Sequence, residues 1–241
     1  SRSDKMENAV RKSVHRLKVL TLWAMMAFWA VSVQSNPTQK HFFPIHKNGK
    51  GGYIDSTGKV VIPFVFDAAG DFSEGMARVK IDKKWGYIDE TGRIVIEPRY
   101  HWVWEFSEGL ARVQIDSDQG KCGFINIKGE AVIEPKYDPL SGVADISQKY
   151  QDGLAMIEVN YRKGFIDKNG TEVIPPQFEY AYPFSEGLAC VQERLGAKWG
   201  YINKIGEWTI KPQFEYASLF SEGLAPVGRQ GVCGYIDKTG K

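Results

Sequence analysis

The chain of 241 residues is 43% hydrophobic and 25% charged, with 31 Lys or Arg and 29 Asp or Glu residues. Six of the basic and two of the acidic residues precede residue 36, which leaves 25 basic and 27 acidic residues in the remainder. A nucleic-acid-binding protein should carry a basic stripe, so this balance argues against nucleic acid as a partner.

The first 35 residues have the composition of a secretory signal peptide, with a few extra residues upstream of Met6. Basic residues precede an uncharged, mostly apolar run of 15 at positions 19–33, and Ser35 offers a small residue for cleavage. A spanning helix needs about 20 apolar residues, so we expect a cleaved leader and no stable membrane span, with an uncleaved anchor as the alternative. The sequence therefore predicts an exported protein, located in the periplasm, at the cell surface or outside the cell, with residues 36–41 as a linker.

From residue 42 onward one signature recurs six times: Gly, an aromatic, Ile, then Asp or Asn, with a second Gly six residues after the first. The first glycines are 34, 37, 41, 36 and 34 residues apart, and self-similarity at this period marks a repeat architecture. These glycines, which define the structural repeat, are Gly52, Gly86, Gly123, Gly164, Gly200 and Gly234.

One repeat reads as a three-stranded antiparallel meander. Apolar and polar residues alternate at Leu110–Ile115, which predicts a half-buried first strand. A second strand at 84–88 leads into the turn Asp89–Gly92, where Asp can accept backbone hydrogen bonds and Gly can take the left-handed conformation. The third strand is expected to end at a proline such as Pro98, because proline cannot donate to the ladder.

Two aromatic positions follow the proline in most repeats, and the second opens the motif Phe-Ser-Glu-Gly. We expect both aromatics to pack on the neighbouring repeat, because a unit of about 35 residues has one apolar face and cannot bury it alone. The connection between them is expected to form a short helical turn. The motif is intact at 72–75, 106–109, 184–187 and 220–223.

Two stretches carry a family resemblance, Lys84–Asp89 and Lys198–Asn203, which both read Lys-Trp-Gly-Tyr-Ile followed by Asp or Asn. With the turn glycine, the proline and Phe-Ser-Glu-Gly, they resemble the bacterial WG-repeat (KWG-type) proteins over residues 42–241. The resemblance implies tandem arrays in bacterial, often exported, proteins, with no established activity and no catalytic residues to carry over. Other residues hold the Trp position in four copies, namely Gly51, Cys122, Lys163 and Cys233.

Residues 42–241 are therefore predicted to be all-β, a tandem array of about 5.5 three-stranded meanders. The last hairpin leaves an exposed sheet edge, so we expect the array to be C-terminally incomplete at Lys241. Three strands per unit and a drifting period favour an open, curved, solenoid-like array over a closed propeller-like ring.

The recurring polar residues favour structural roles. A catalytic carboxylate pair needs two different environments, whereas Glu74, Glu108, Glu186 and Glu222 occur once per repeat in one setting and read as turn or cap residues. The turn aspartates offer too few oxygen ligands for calcium, and Cys122, Cys190 and Cys233 read as semi-buried structural thiols. We expect no enzyme activity, no cofactor and no metal site.

Aromatic residues supply the one functional lead. Trp102, Tyr180 and Tyr216 occupy equivalent positions and are candidate ligand contacts, because aromatic faces in series can stack on sugar rings or peptide side chains. Ordinary packing between repeats is the alternative. The sequence thus predicts a non-enzymatic, exported binding or scaffold module for a protein or glycan partner. The alternative is a structural spacer that carries another domain beyond residue 241.

Overall fold

The structure, a computed structural model, describes residues 41–141 and 148–241. These residues form 21 strands in six antiparallel sheets. Within them, no helix has the length and apolarity needed to cross a membrane. The predicted leader, and the linker up to residue 40, lie outside the described residues.

The sheets follow one another along the chain. Sheet 1 contains β1 (Phe43–Lys47), β2 (Lys50–Ile54) and β3 (Val60–Phe66). Sheet 2 contains β4 (Ala68–Ser73), β5 (Met76–Ile81), β6 (Lys84–Asp89) and β7 (Ile94–Tyr100). Sheet 3 contains β8 (Trp102–Val103), β9 (Leu110–Gln114), β10 (Cys122–Asn126) and β11 (Ala131–Tyr137). Sheet 4 contains β12 (Ala155–Val159), β13 (Arg162–Ile166) and β14 (Glu172–Phe178). Sheet 5 contains β15 (Tyr180–Ala181), β16 (Ala189–Gln192), β17 (Trp199–Ile202) and β18 (Trp208–Phe214). Sheet 6 contains β19 (Tyr216–Ala217), β20 (Leu224–Arg229) and β21 (Val232–Asp237).

The connection that was expected to be a helical turn is a short edge strand. In sheet 3, Trp102 pairs with Gln114 and Val103 with Val113, which makes β8 a fourth strand beside β9. The backbone N–H of Trp104 donates to the carbonyl of Arg112 at 3.1 Å, so this segment satisfies its polar groups across strands instead of along a helix. Sheets 2 and 5 have a fourth strand at the same place.

The third strand continues past its proline, so the predicted end at that residue was wrong. In sheet 2 the register passes from Tyr87–Ile96 to Trp85–Tyr100, which places a bulge in β7. Pro98 lies in this bulge, where the ladder is interrupted and no N–H is required.

The first glycine of the signature faces this bulge. A Cβ atom on Gly86 would stand 2.7 Å from Pro98 N, with the carbonyl oxygen of Ile96 closer still. The glycine is therefore required by the close approach of two backbones, and the turn is left to the second glycine. The same crowding occurs at Gly52, Gly123, Gly164 and Gly200, whereas a Cβ on Gly234 would meet nothing within 4 Å.

The predicted turn between the second and third strands is confirmed. Asp89 Oδ1 accepts hydrogen bonds from Thr91 N at 3.0 Å and Arg93 N at 3.1 Å, and Gly92 has a φ of +85°. The turn also packs on the preceding sheet, since a Cβ on Gly92 would stand 3.1 Å from the side chain of Ile62.

Consecutive sheets share their hydrophobic cores. Within the described residues, five buried clusters each draw on two consecutive sheets, one cluster at each junction. At the junction of sheets 2 and 3, the ring of Tyr87 lies 4.8 Å from that of Phe106, and its hydroxyl donates to the carbonyl of Trp104 at 2.5 Å. The same ring pair recurs at Tyr53–Phe72, Phe124–Tyr150, Phe165–Phe184 and Tyr201–Phe220. Packing of each unit on the next is thus confirmed.

The Phe-Ser-Glu-Gly motif forms a second ladder between sheets. Ser73 Oγ donates to the carbonyl of Phe106 at 2.8 Å, and the Glu74 carboxylate accepts from Glu108 N and Gly109 N at 2.7 and 2.9 Å. Glu108 and Glu186 likewise accept hydrogen bonds from Gly153 N and Gly223 N, so these three glutamates each cap the hairpin turn of the following sheet.

The all-β class and the tandem array of antiparallel meanders are confirmed. All three cysteines are free thiols, but none is semi-buried as predicted: Cys122 and Cys190 are fully buried, and Cys233 is exposed because no described strand follows β21 in sheet 6. The curvature of the array stays a prediction.

Candidate functional site

The three candidate aromatics lie at the same place in three sheets. Trp102 opens β8, Tyr180 opens β15 and Tyr216 opens β19, and each side chain belongs to the first residue of a two-residue edge strand. Their exposure differs: 36% for Trp102, 52% for Tyr216 and an intermediate value for Tyr180. The equivalence inferred from the sequence therefore corresponds to a common position in the fold.

The series is interrupted between Trp102 and Tyr180. Sheet 4 lies between them along the array, and Pro139 stands at the corresponding position there. The correspondence follows from the backbone, because Asp138 N donates to the carbonyl of Glu158 as His101 N does to that of Gln114. Tyr180 and Tyr216 lie in consecutive sheets, while Trp102 belongs to a separate part of the surface.

Trp102 packs against the signature tryptophan of the preceding sheet. Its ring centroid lies 5.0 Å from that of Trp85 in an edge-to-face arrangement, and Trp85 is only 6% exposed. Packing between repeats thus fixes one side of Trp102 and leaves more than a third of its surface in solvent.

Two cations lie over these indole rings. The Arg78 guanidinium carbon is 5.6 Å from the Trp85 centroid and 5.9 Å from that of Trp102, and Lys80 Nζ is 5.6 Å from the Trp85 centroid. All three distances fall within the range of cation–π attraction. Sequence reasoning missed Arg78 and Lys80, whose only signal was their place on the strand that pairs with Lys84–Asp89.

The two cations differ in how firmly they are held. Arg78 forms an ion pair with Glu105 at 3.0 Å and donates to the carbonyl of Val103 at 3.1 Å. Burial acts to raise the pKa of Glu105, but the charges of Arg78 and Lys149 and a backbone hydrogen bond together hold that pKa below its ordinary value. Lys80, in contrast, has no ion-pair partner in residues 41–141 or 148–241.

The lysine beside Tyr180 already forms an ion pair with a carboxylate. Lys163, which stands at the tryptophan position of its repeat, lies 5.6 Å from the Tyr180 ring centroid. Its ammonium is 3.3 Å from the Glu158 carboxylate, and the two side chains are 4% and 2% exposed. Ser141 Oγ donates to the same carboxylate at 2.8 Å. This buried cluster was not predicted, although a lysine in place of the repeated tryptophan was its visible signal.

The atypical loop at 138–149 contributes part of this cluster. Asp138 pairs with Lys121 and accepts a hydrogen bond from Asn160 N at 3.0 Å, while Ser141 binds Glu158. Asp145 and Ser147 of the same loop lie outside the described residues. No group of three His, Cys, Asp or Glu side chains in the described ranges is arranged to hold a metal ion.

Comparison with known families supports the repeat assignment. A family model described as a WG-containing repeat matches residues 52–85, 85–121, 123–140, 164–194 and 199–231, which is more than half of the chain. No curated protein matches the sequence.

Two solved structures resemble the chain at low identity. A crystal structure described as that of the eukaryotic initiation factor is 15% identical with a TM-score of 0.55, and the match covers 84% of this chain but only 62% of that chain. A protein of unknown function from Bacteroides caccae is 13% identical with a TM-score of 0.35, over 84% of this chain and 91% of that one. The first of these likenesses concerns the fold alone.

Proposed function

Because the chain belongs to the family of WG-containing repeats, we propose that its sheets form a non-enzymatic binding module for a protein or glycan partner. The observation that supports this is the exposure of Trp102, 36%, at a position whose aromatic neighbours are used for packing. Tyr87 and Phe106 at the same junction are 0% and 1% exposed. An indole that is partly exposed beside the Arg78 guanidinium is typical of a surface that receives a ligand, because Trp combines a large apolar face with a polar N–H.

The repeated placement extends this surface. Tyr216 is 52% exposed and Tyr180 partly so, and each occupies the position of Trp102 in its own sheet. Repeat arrays provide extended binding surfaces of this kind. The composition of residues 1–35 supports export as the setting in which the module works.

The full chain can be screened against arrays of immobilised glycans and peptides. We expect a variant with Trp102→Ala, Tyr180→Ala and Tyr216→Ala to lose the binding that the unchanged protein shows. Tyr161→Ala is the matched control, because Tyr161 is 78% exposed at a hairpin tip and packs on no other aromatic ring of the described residues. Equal binding by the triple variant and the control would reject the aromatic positions as contacts.

The alternative is a spacer that carries another domain beyond residue 241. The observation that favours it is the ladder of bonds at successive junctions, in which Ser73, Ser107 and Ser185 each donate to a carbonyl of the next sheet. A spacer predicts no ligand in either array and no effect of the triple variant on partner capture. Reading the complete gene checks whether a further domain follows.

A further inference from the structure

We propose that the Trp85–Trp102 patch, formed by Arg78, Lys80, Trp85 and Trp102, binds an acidic saccharide whose sugar ring carries a carboxylate. The inference rests on the proposed binding function and names its ligand class. The strongest binding is expected at the junction of sheets 2 and 3, with weaker contributions from Tyr180 and Tyr216.

The charge at the patch excludes a cationic ligand. Aromatic clusters often bind quaternary ammonium groups, but here Arg78 and Lys80 already lie over the rings at 5.6–5.9 Å. Glu105 is the carboxylate beside them, and it is engaged by Arg78 at 3.0 Å and by Lys149 at 3.1 Å. Three cations facing one carboxylate leave a positive balance that attracts an anion.

Lys80 distinguishes this patch from the other two aromatic positions. Its ammonium contacts the Trp85 ring and finds no carboxylate within the described residues, so it can receive one from a ligand. At Tyr180 the corresponding cation, Lys163, is paired with Glu158 and buried. At Tyr216 no cation lies over the ring in the part of the chain that the structure describes.

A single sugar residue that carries a carboxylate can make both contacts, one with the indole and one with the cation. The apolar C–H face of a pyranose ring can cover an exposed indole, and a carboxylate on the same ring can reach a cation that lies beside the indole. An acidic peptide would need two residues to do so, since Asp and Glu lack a flat apolar face and aromatic side chains lack the carboxylate. Trp102 supplies the exposed ring, and Lys80, 5.6 Å from the adjoining Trp85 ring, supplies the unpaired cation, so this arrangement favours a saccharide over a peptide.

The test uses the full chain, an oligomer of galacturonic acid as the acidic probe and its methyl ester as the neutral probe. Isothermal titration calorimetry and tryptophan fluorescence report the binding. We expect the acidic oligomer to bind, the ester to bind about tenfold more weakly or not at all, and binding of the acid to weaken as salt rises. Trp102→Ala should abolish binding and Trp102→Phe should restore part of it.

Lys80→Gln should weaken binding of the acidic oligomer about fivefold or more while far-UV circular dichroism stays unchanged. Lys83→Gln is the matched control, because it removes the same charge from the adjacent hairpin tip without a ring beneath it. Equal losses in both variants would show charge attraction without a site and would overturn the proposal. Equal binding of acid and ester that still needs Trp102 would also overturn it, yet would leave the proposed binding function in place. Failure of the acidic oligomer to bind the folded protein rejects the saccharide, while capture of a peptide that needs Trp102 would keep the binding function.

Discussion

The smallest decisive feature is the hydrogen that Gly86 carries in place of a side chain. The bulged third strand brings Pro98 N so close that a Cβ at Gly86 would stand 2.7 Å away, nearer than real Cβ contacts occur. Only a glycine at this position allows the proline-containing bulge to lie against the second strand. The joint recurrence of Gly and Pro in the first five copies follows from this close approach.

We predict that Gly86→Ala destabilises the protein by about 2–3 kcal/mol, because backbone atoms cannot move aside as a flexible side chain could. Gly234→Ala is the matched control, since its Cβ would meet nothing within 4 Å and should change stability by only a few tenths of a kcal/mol. Urea unfolding followed by tryptophan fluorescence compares the two. Similar midpoints for both variants would contradict the role assigned to the bulge.

The candidate contacts illustrate what the sequence could and could not predict at this scale. Trp102 could be singled out from the sequence, because aligning the repeats by their period places it at the same position as Tyr180 and Tyr216. Arg78 did not stand out, because it reaches Trp102 across a junction of two sheets. Lys80 did not stand out either, because its place over Trp85 depends on how the two strands of one hairpin pair. The ion pair of Lys163 and Glu158 also could not be predicted, because it depends on which side chains the hairpin of β12 and β13 places side by side.

At the scale of the element, the hairpin loop Glu74-Gly75 between β4 and β5 binds sheet 2 to sheet 3 through hydrogen bonds. Glu74 has a φ of +53° and Gly75 of +77°, as a tight two-residue hairpin loop requires. This conformation directs the carboxylate of Glu74 onto Glu108 N and Gly109 N of the following sheet. The cost of a left-handed glutamate is offset by two hydrogen bonds to a charged acceptor.

We predict that Glu74→Ala lowers stability by about 1 kcal/mol, a modest loss because the carboxylate is exposed to solvent. Glu222→Ala removes the same residue from the same loop, but its carboxylate has no hydrogen bond to any described residue, so it should have almost no effect. Thermal unfolding of the two variants at neutral pH provides the measurement. A larger loss at Glu222 than at Glu74 would show that the loop conformation matters and the connection between sheets does not.

Element boundaries were predictable where local chemistry decides them. The turn at Asp89–Gly92 follows from Asp and Gly alone, and the structure has it as predicted. The end of the third strand did not follow from Pro98, because the absence of an N–H is harmless inside a bulge. The edge strand at Trp102–Val103 is too short for alternation to reveal, and it exists because β9 offers an unpaired edge.

At the scale of the whole molecule, stability resides at the junctions. Every buried cluster in the described residues combines side chains of two consecutive sheets, so a sheet by itself lacks half of its core. The sequence indicated that the sheets share their cores, because the repeat period and the apolar content of a single repeat are enough to show that it cannot bury its own apolar face. The path of the array depends on small rotations at each junction, and no residue type encodes these locally.

We predict that a peptide of residues 180–214, which contains all four strands of sheet 5, does not fold in isolation. Its buried face would lose the side chains that sheets 4 and 6 supply. Far-UV circular dichroism against urea should show no cooperative transition, whereas residues 42–241 should show one. A sigmoidal transition for the peptide would refute the shared-core interpretation.

We also predict that acid destabilises the array. The hydrogen bond from the Thr91 side chain holds the pKa of Asp89 below its ordinary value of 3.8, and similar bonds lower the pKa of Asp55 and Asp237. The unfolded chain therefore binds protons first, so the stabilisation is complete above pH 3.8 and is lost as the pH falls through the lowered values. Urea midpoints between pH 7 and pH 2.5 measure the effect.

Asn is the natural control for this acid dependence, because Asn126 and Asn203 make the same turn with an uncharged amide. Replacing Asp55, Asp89 and Asp237 by Asn should leave the midpoint at pH 7 nearly unchanged and flatten its fall in acid. An equally steep fall in the triple variant would place the acid sensitivity elsewhere.

The ladder of identical bonds has a consequence for how such a chain can change its length. Tyr87 and Tyr201 reach the next sheet through the same hydroxyl, and Ser73 and Ser185 through the same Oγ. A duplication or deletion whose two breakpoints fall at matching positions of different copies would therefore rejoin compatible surfaces on both sides. Unequal recombination within the gene can lengthen or shorten the protein by whole units, and selection need not redesign any interface afterwards.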